Sequence, residues 1–189
     1  MSDKAAKKKQ FILDTAKAVF AKKGYKNVTM KDVVDACEIS RGGLYLYFDS
    51  TEALLLACLE EEKTKIEISD DMPAGEALAL FLNEQKKAIL NDEEDLSIAV
   101  YEYLFMKKEE GANNVNVKTM FDEYVDVVTH LIENGVNSDE FYCEDASLAA
   151  RNIMYTLEGM KIKAKTGSVS EKDIDMELLY ILGGLISEE

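Results

Sequence analysis

Residues 29–55 read TMKDVVDACEISRGGLYLYFDSTEALL. Thr29 and Asp32 stand at the spacing of a capping box. Met30, Val33, Val34 and Cys37 follow at i, i+3, i+4 and i+7, which predicts a short helix over 30–36. Glu38 and Ile39 read as a tight turn, and Ser40 as the N-cap of a second short helix over 41–47. Asp49 and Ser50 offer caps for a long helix over 51–68, whose apolar side is Leu54, Leu55, Cys58 and Leu59. Two short helices joined by a tight turn form a helix-turn-helix, with Val33, Val34, Leu44 and Phe48 assigned to its core.

Upstream, Ile12, Ala16, Val19 and Phe20 share one face of a helix over 6–23, which Gly24 terminates. Downstream of Pro73 the apolar spacing stays helical. Ala77, Leu78, Phe81 and Leu82 mark a helix over 74–90, and Leu96, Val100, Leu104 and Phe105 mark one from the acidic patch 92–95 to 108. Val117 to Leu131 carry a helix to about Gly135; Ala149, Ile153, Leu157 and Met160 carry one over 144–165. Ser170 and Asp173 cap a last helix with Leu178, Leu179, Ile181, Leu182 and Leu185. About nine helices result, three short ones in the head and six in the body. The expected fold is all-α, with a helix-turn-helix domain over 1–50 and a helical body over 51–189.

Composition agrees with this and narrows the chemistry. The chain has 189 residues with a single Pro and ten Gly, too few breakers for a barrel or sandwich. One His, His130, cannot form a paired-His metal site or the two Glu-x-x-His motifs of a di-iron bundle. No Gly-rich phosphate loop or Ser/His/Asp arrangement stands out. No catalytic residue, metal site or cofactor is therefore expected. Cys37, Cys58 and Cys143 are odd in number and lack CxxC spacing, which points to a reducing compartment. No apolar run reaches the ~18 residues of a membrane span, and MSDKAAKKKQ does not read as a signal peptide. A cytoplasmic protein is expected.

The net charge of −15 is unevenly placed. Residues 1–50 hold ten basic and six acidic side chains, a net of +4; the remainder holds twelve basic and thirty-one acidic, a net of −19. A basic head on an acidic body fits one end that meets a polyanion. A lysine-rich solvated tail gives the same count, so charge alone leaves both readings open.

The residues Thr29, Val33, Val34, Cys37, Ile39, Ser40, Gly42, Leu44, Tyr45, Tyr47 and Phe48, followed by Glu52, Ala53 and Leu54, resemble the TetR family of bacterial transcriptional regulators. The upstream AKAVFAKKGYKNVT is similar to the family's first helix and Gly-Tyr turn. The resemblance covers the first third of the chain; beyond it only helix number and length agree. It implies double-stranded operator DNA as partner, a homodimer, a DNA-binding domain over 1–50, and a ligand-binding and dimerisation domain over 51–189 that holds an inducer pocket. In that frame Arg41 is placed for a bidentate guanine contact. Gly42 and Gly43 let the backbone approach DNA, and Tyr45 meets a thymine methyl or a phosphate. Tyr47 resembles the family's phosphate-contacting aromatic. Thr29 puts its hydroxyl and a helix N-terminus against a phosphate. Lys31 and the N-terminal lysines add sequence-independent affinity, and Ser40 and Thr51 complete the set. There are two departures. Glu38 stands where the family usually has Gly, which is strained if that residue needs positive φ. Thr51 stands where the family often has a phosphate-contacting Lys.

In the body, Phe81, Gln85, Tyr101, Phe105, Met120, Phe121, Tyr124, Asn152 and Tyr155 are the candidate lining of a small-molecule pocket. Ile153, Leu157, Met160, Leu178, Ile181, Leu182 and Leu185 are the candidate dimer interface, with intramolecular core as the competing reading. The expected function is a ligand-responsive repressor that binds a palindromic operator as a homodimer and is released by a small-molecule inducer. The alternative is a DNA-binding accessory protein of the same fold that recruits a protein partner without a small-molecule switch.

Overall fold

The computed structural model describes residues 3–63, 71–91, 95–111 and 116–186, with the side chains of 62–63 and 116–120 left aside. Among the described residues there are nine helices and no strand. They are α1 (Asp3–Lys23), α2 (Met30–Cys37), α3 (Arg41–Tyr45), α4 (Thr51–Lys63), α5 (Ala74–Leu90), α6 (Ser97–Glu109), α7 (Asn116–Asn137), α8 (Ala146–Thr166) and α9 (Glu171–Gly183). The part of the expected fourth helix over 64–68, and 92–94 of the acidic patch, lie outside the described residues.

The helices group into two compact units, one of α1–α4 with α6, the other of α5 with α7–α9. The sequence boundary at residue 50 assigns α4 and α6 to the body, whereas both pack on α1. In the first unit Ile12, Leu13, Ala16 and Phe20 of α1 are buried together with Val33, Leu44, Leu54, Leu55 and Cys58. Gly24 ends α1 at φ 71°, its N–H donating to the Phe20 carbonyl at 2.8 Å. The positive φ is what favours glycine there; a Cβ would also meet the Glu102 carboxylate, the flexible end of its side chain, at 2.5 Å. The Glu102 carboxylate accepts the Lys26 N–H at 2.9 Å.

In the second unit, α5, α7, α8 and α9 enclose a core that includes Leu78, Phe81, Leu82, Val128, Ile132, Met154, Leu157 and Ile174. Glu140 caps α5, accepting the N–H groups of Ala74 and Gly75 at 3.1 and 2.9 Å. These backbone bonds and the Ser138 hydroxyl hold its carboxyl below the usual range. Lys86 of α5 ties to Glu171 and Asp175 of α9. Gly135 does not end α7, which runs on to Asn137. The residue is instead a site of close approach: a Cβ there would overlap the Phe141 ring, and Phe141 N–H donates to the Gly135 carbonyl at 3.0 Å.

The expected interface residues lie mostly in the chain's own core, the competing reading of the sequence. Ile153, Leu157, Met160, Leu178 and Leu185 are buried within the chain's own core, and Ile181 and Leu182 pack against it. Ile181 and Leu182 keep part of their surface exposed, while the other five serve the chain's own core. Each helix carries a second apolar stripe that faces solvent. On α8 it is Leu148, Tyr155 (62% exposed) and Ile162, spaced by seven. On α9 it is Met176, Leu179 and Tyr180 (81% exposed), with Ile186 just beyond the helix.

Candidate nucleic-acid interface

The head is built around the turn between α2 and α3. Thr29 caps α2 through a complete capping box: its side chain accepts the Asp32 N–H, and Asp32 accepts the Thr29 N–H at 2.8 Å. The Thr29 hydroxyl donates to the same carboxylate, which also holds Lys23 at 2.6 Å. Lys23 first, then the two Thr29 bonds, hold the Asp32 carboxyl far below the usual range. The Thr29 hydroxyl proton is thus already committed within the cap. At the other end Glu38 sits in the left-handed region at φ 53°, ψ 37°. Its Ile39 neighbour donates to the Val34 carbonyl at 3.3 Å, the closure of a Schellman-type end. This is the positive φ at which a side chain is strained.

Ser40 caps α3, its hydroxyl oxygen accepting the Gly43 N–H at 3.1 Å. The five-residue helix is anchored from below by Leu44 and Phe48, both buried. Its outer side carries Arg41, whose guanidinium lies over the Tyr45 ring at 5.4 Å from the centroid. This i, i+4 cation–π pair orients the fork along the exposed face. Gly42 is open on that face, with nothing within 4 Å of a Cβ added there. Gly43 is turned inward instead, a Cβ meeting the Ser40 hydroxyl at 3.1 Å. Lys31 is exposed and Tyr47 half-buried. The Thr51 hydroxyl is hydrogen-bonded to Tyr25.

One residue escaped the sequence reading. Leu46, directly after α3, is 83% exposed. The signal was available: Leu44 and Phe48 are four apart and share the buried face, and Leu46, midway between them, falls on the opposite one.

The start of α4 is fixed to α6. Tyr103 donates to Glu52 at 2.7 Å, and Lys107 pairs with the other Glu52 oxygen at 3.0 Å. The two bonds hold the Glu52 carboxyl below its usual range, while burial and then this carboxylate push the Tyr103 phenol well above its own. Tyr103 also meets Tyr25 edge to face at 5.1 Å. The helix-turn-helix is therefore held at both its α1–α2 turn and its exit by one helix.

The pocket candidates separate. Phe81 and Gln85 are buried on one face of α5, and Phe81 meets Tyr124 edge to face at 5.9 Å. Phe121 stacks on Tyr155 at 5.4 Å, but Tyr155 and Asn152 face solvent, as does Phe105. Tyr101 and Phe105 lie on α6 in the first unit, and the Met120 side chain lies outside the described residues. His130 is exposed beside Asn134 at 3.3 Å, and not paired with Asp126. Among the described residues no group of three or more His, Cys, Asp or Glu side chains is placed to hold a metal. No described helix is long and apolar enough to cross a membrane.

Residues 12–58 match the family described as bacterial regulatory proteins, tetR family, and residues 77–174 match the tetracyclin repressor-like C-terminal domain. The uncharacterized HTH-type transcriptional regulator YfiR of Bacillus subtilis is 30% identical over 140 residues, covering 71% of this chain and 68% of that protein. The HTH-type transcriptional regulator QacR of Staphylococcus aureus is 22% identical over 171 residues, 87% of this chain and 89% of that one. A TetR transcription regulator from Haloarcula marismortui has the same fold, with a TM-score of 0.77 at 18% identity over 96% of this chain and all of that one. The capped α2, the left-handed turn and the outward face of α3 thus coincide with the segment that the family shares. With the body matching as well, the chain belongs to the TetR family of bacterial transcriptional regulators.

Proposed function

We propose that the protein is a repressor that binds a palindromic operator as a homodimer and is released by a small-molecule inducer. The observation that carries this is α3. Its Leu44 and Phe48 anchor a short helix whose other side offers Arg41, Gly42, Tyr45 and Leu46 to a partner. Arg41 reads guanine through its two-pronged donor set, and Tyr45 and Leu46 supply apolar contact to thymine methyls. Thr29 acts through the N-terminal N–H groups of α2, since its hydroxyl serves Asp32. Lys31, Ser40, Gly43, Tyr47 and Thr51 border this face and position it on the backbone.

Two-fold symmetry comes from the second apolar stripe of α8 and α9, with Tyr155, Ile162, Leu179 and Tyr180 at its centre. The inducer enters the body beside Phe81, Gln85 and Tyr124. Gln85 is one of two buried polar side chains among the described residues, the other being Lys17, and a buried amide amid aromatic rings suits a mostly apolar ligand with one polar group. The functional division is a DNA-contacting head of residues 1–50 and a sensing body of residues 51–189. Inducer binding changes the placement of the two heads in the dimer, each head being held by α6 at the Gly24–Lys26 turn through Glu102 and at α4 through Glu52. The head spacing that matches successive major grooves, about 34 Å, is then lost.

The test is selection from a random-sequence duplex pool, followed by a ligand screen on the selected DNA. The reading expects a palindrome with half-sites one helical turn apart. It also expects ligand affinity to fall, on saturation with operator, by the same factor by which the ligand weakens DNA binding. Ligand affinity indifferent to operator refutes the switch.

A further inference from the structure

We infer that the ligand of the body is an uncharged, largely apolar molecule whose one polar group pairs with the Gln85 amide. The inference rests on the reading of this region as the inducer site and names the chemistry that the site takes. Gln85 interrupts an apolar stripe of α5. Leu78, Phe81 and Leu82 precede it on that face and Ile89 follows one turn later, all buried. Gln85 itself is 6% exposed. It is the one buried polar side chain of the second unit among the described residues, since Lys17 belongs to the first. No hydrogen bond engages its amide among the described residues, yet neither amide atom is completely sealed away. An unpaired amide in an apolar stripe costs stability that a methionine or leucine there would not. The chain supplies no partner for it, so the partner comes from outside.

Charge is what the surroundings do not offer. The half-buried charges of this unit serve one another: Lys86 pairs with Glu171 and Asp175, Glu84 with Lys87, and Glu158 with Lys161. Lys165 is engaged as well. An ion entering this core would find one neutral amide, and a single neutral hydrogen bond does not offset the desolvation of a charge. The amide presents both a donor and an acceptor, which matches a ligand group carrying the same pair, an amide or a hydroxyl. Phe81, one turn before Gln85 and edge to face with Tyr124 at 5.9 Å, supplies an aromatic wall for the apolar part.

The experiment is calorimetric titration of the full chain, at about pH 7, with three probes that share a ring and a tail and differ in the head. They are para-butylbenzamide, the para-butylbenzoate anion and the para-butylbenzylammonium cation. Saturable binding of the amide is expected, with both ions at least about tenfold weaker. Gln85→Met, close to glutamine in length and shape, is expected to melt at or above the ligand-free wild type. It is also expected to bind the amide about 5–150-fold more weakly, because the polar group of the probe is then buried unpaired. Gln85→Leu repeats the test with a second shape. An ion bound as tightly as the amide, or amide affinity unchanged in both variants, overturns the inference and leaves the site reading standing. A clear fall in Tm of both ligand-free variants does the same, since it marks the Gln85 amide as satisfied within the fold. No saturable binding of any of the three probes to wild type overturns the inference and the site reading together.

Discussion

Replacing Glu38 by glycine removes a side chain from a residue held at φ 53° and ψ 37° between α2 and α3. The left-handed region costs an L-residue about 1–2 kcal/mol. Glycine avoids that cost but loses about 0.5–1 kcal/mol more conformational entropy on folding. The net expectation for Glu38→Gly is a gain of about 0.5–1 kcal/mol, a rise in Tm of roughly 1–4 °C for a chain of this size. Glu38→Ala is the necessary control, because it removes the carboxylate and keeps the Cβ. Thermal unfolding of both, followed by circular dichroism at one protein concentration, separates backbone from charge. Glu38→Gly should melt above Glu38→Ala and above wild type. If the two variants melt together, or alanine melts higher, the positive φ carries no strain and the reasoning fails.

Gly135→Ala should lower Tm, although alanine is the better helix former by about 1 kcal/mol, because its Cβ overlaps the Phe141 ring; a rise in Tm contradicts the close approach. Tyr155→Glu combined with Tyr180→Glu should give a folded monomer in sedimentation equilibrium, since two charges would be buried unpaired at the proposed stripe; an unchanged dimer places the interface elsewhere. Stability should fall on acidification. Asp32, Glu52, Glu140 and Asp173 all have carboxyls lowered by hydrogen bonds or ion pairs. The folded state binds their protons less readily than the unfolded chain, so their contribution is complete above about pH 5 and fades as pH falls through the lowered values. Urea midpoints across this range check the sign.

What was legible in the sequence was whatever local chemistry decides. Thr29 with Asp32 and Ser170 with Asp173 announced their capping boxes by residue type and spacing, and both are formed. Ser40 announced the start of α3 in the same way. The strain at Glu38 was legible through the resemblance, Glu standing where the family usually has Gly, and the residue does take a positive φ. Gly135 was read only as lying near the end of α7; glycine in a sequence ends a helix or admits a neighbour, and only the position of Phe141 decides. The interface was less legible for a deeper reason. Helices α8 and α9 each carry two apolar stripes, and periodicity finds both without saying which one the chain itself covers. Ile153 and Leu157 went inward, leaving Tyr155 and Tyr180 outside. Two of the pocket candidates, Asn152 and Tyr155, lie on the outward side of α8 for the same cause.

The central claim is that α3 reads DNA through Arg41. The most direct measurement is a fluorescence anisotropy titration of wild type and Arg41→Ala against a duplex selected by the wild-type protein, with a scrambled duplex alongside. The account predicts that the variant folds, keeps its salt-sensitive binding to the scrambled duplex, and loses about 1–3 kcal/mol, roughly 5–150-fold, on the selected one. Equal losses on both duplexes, or none on either, would contradict it.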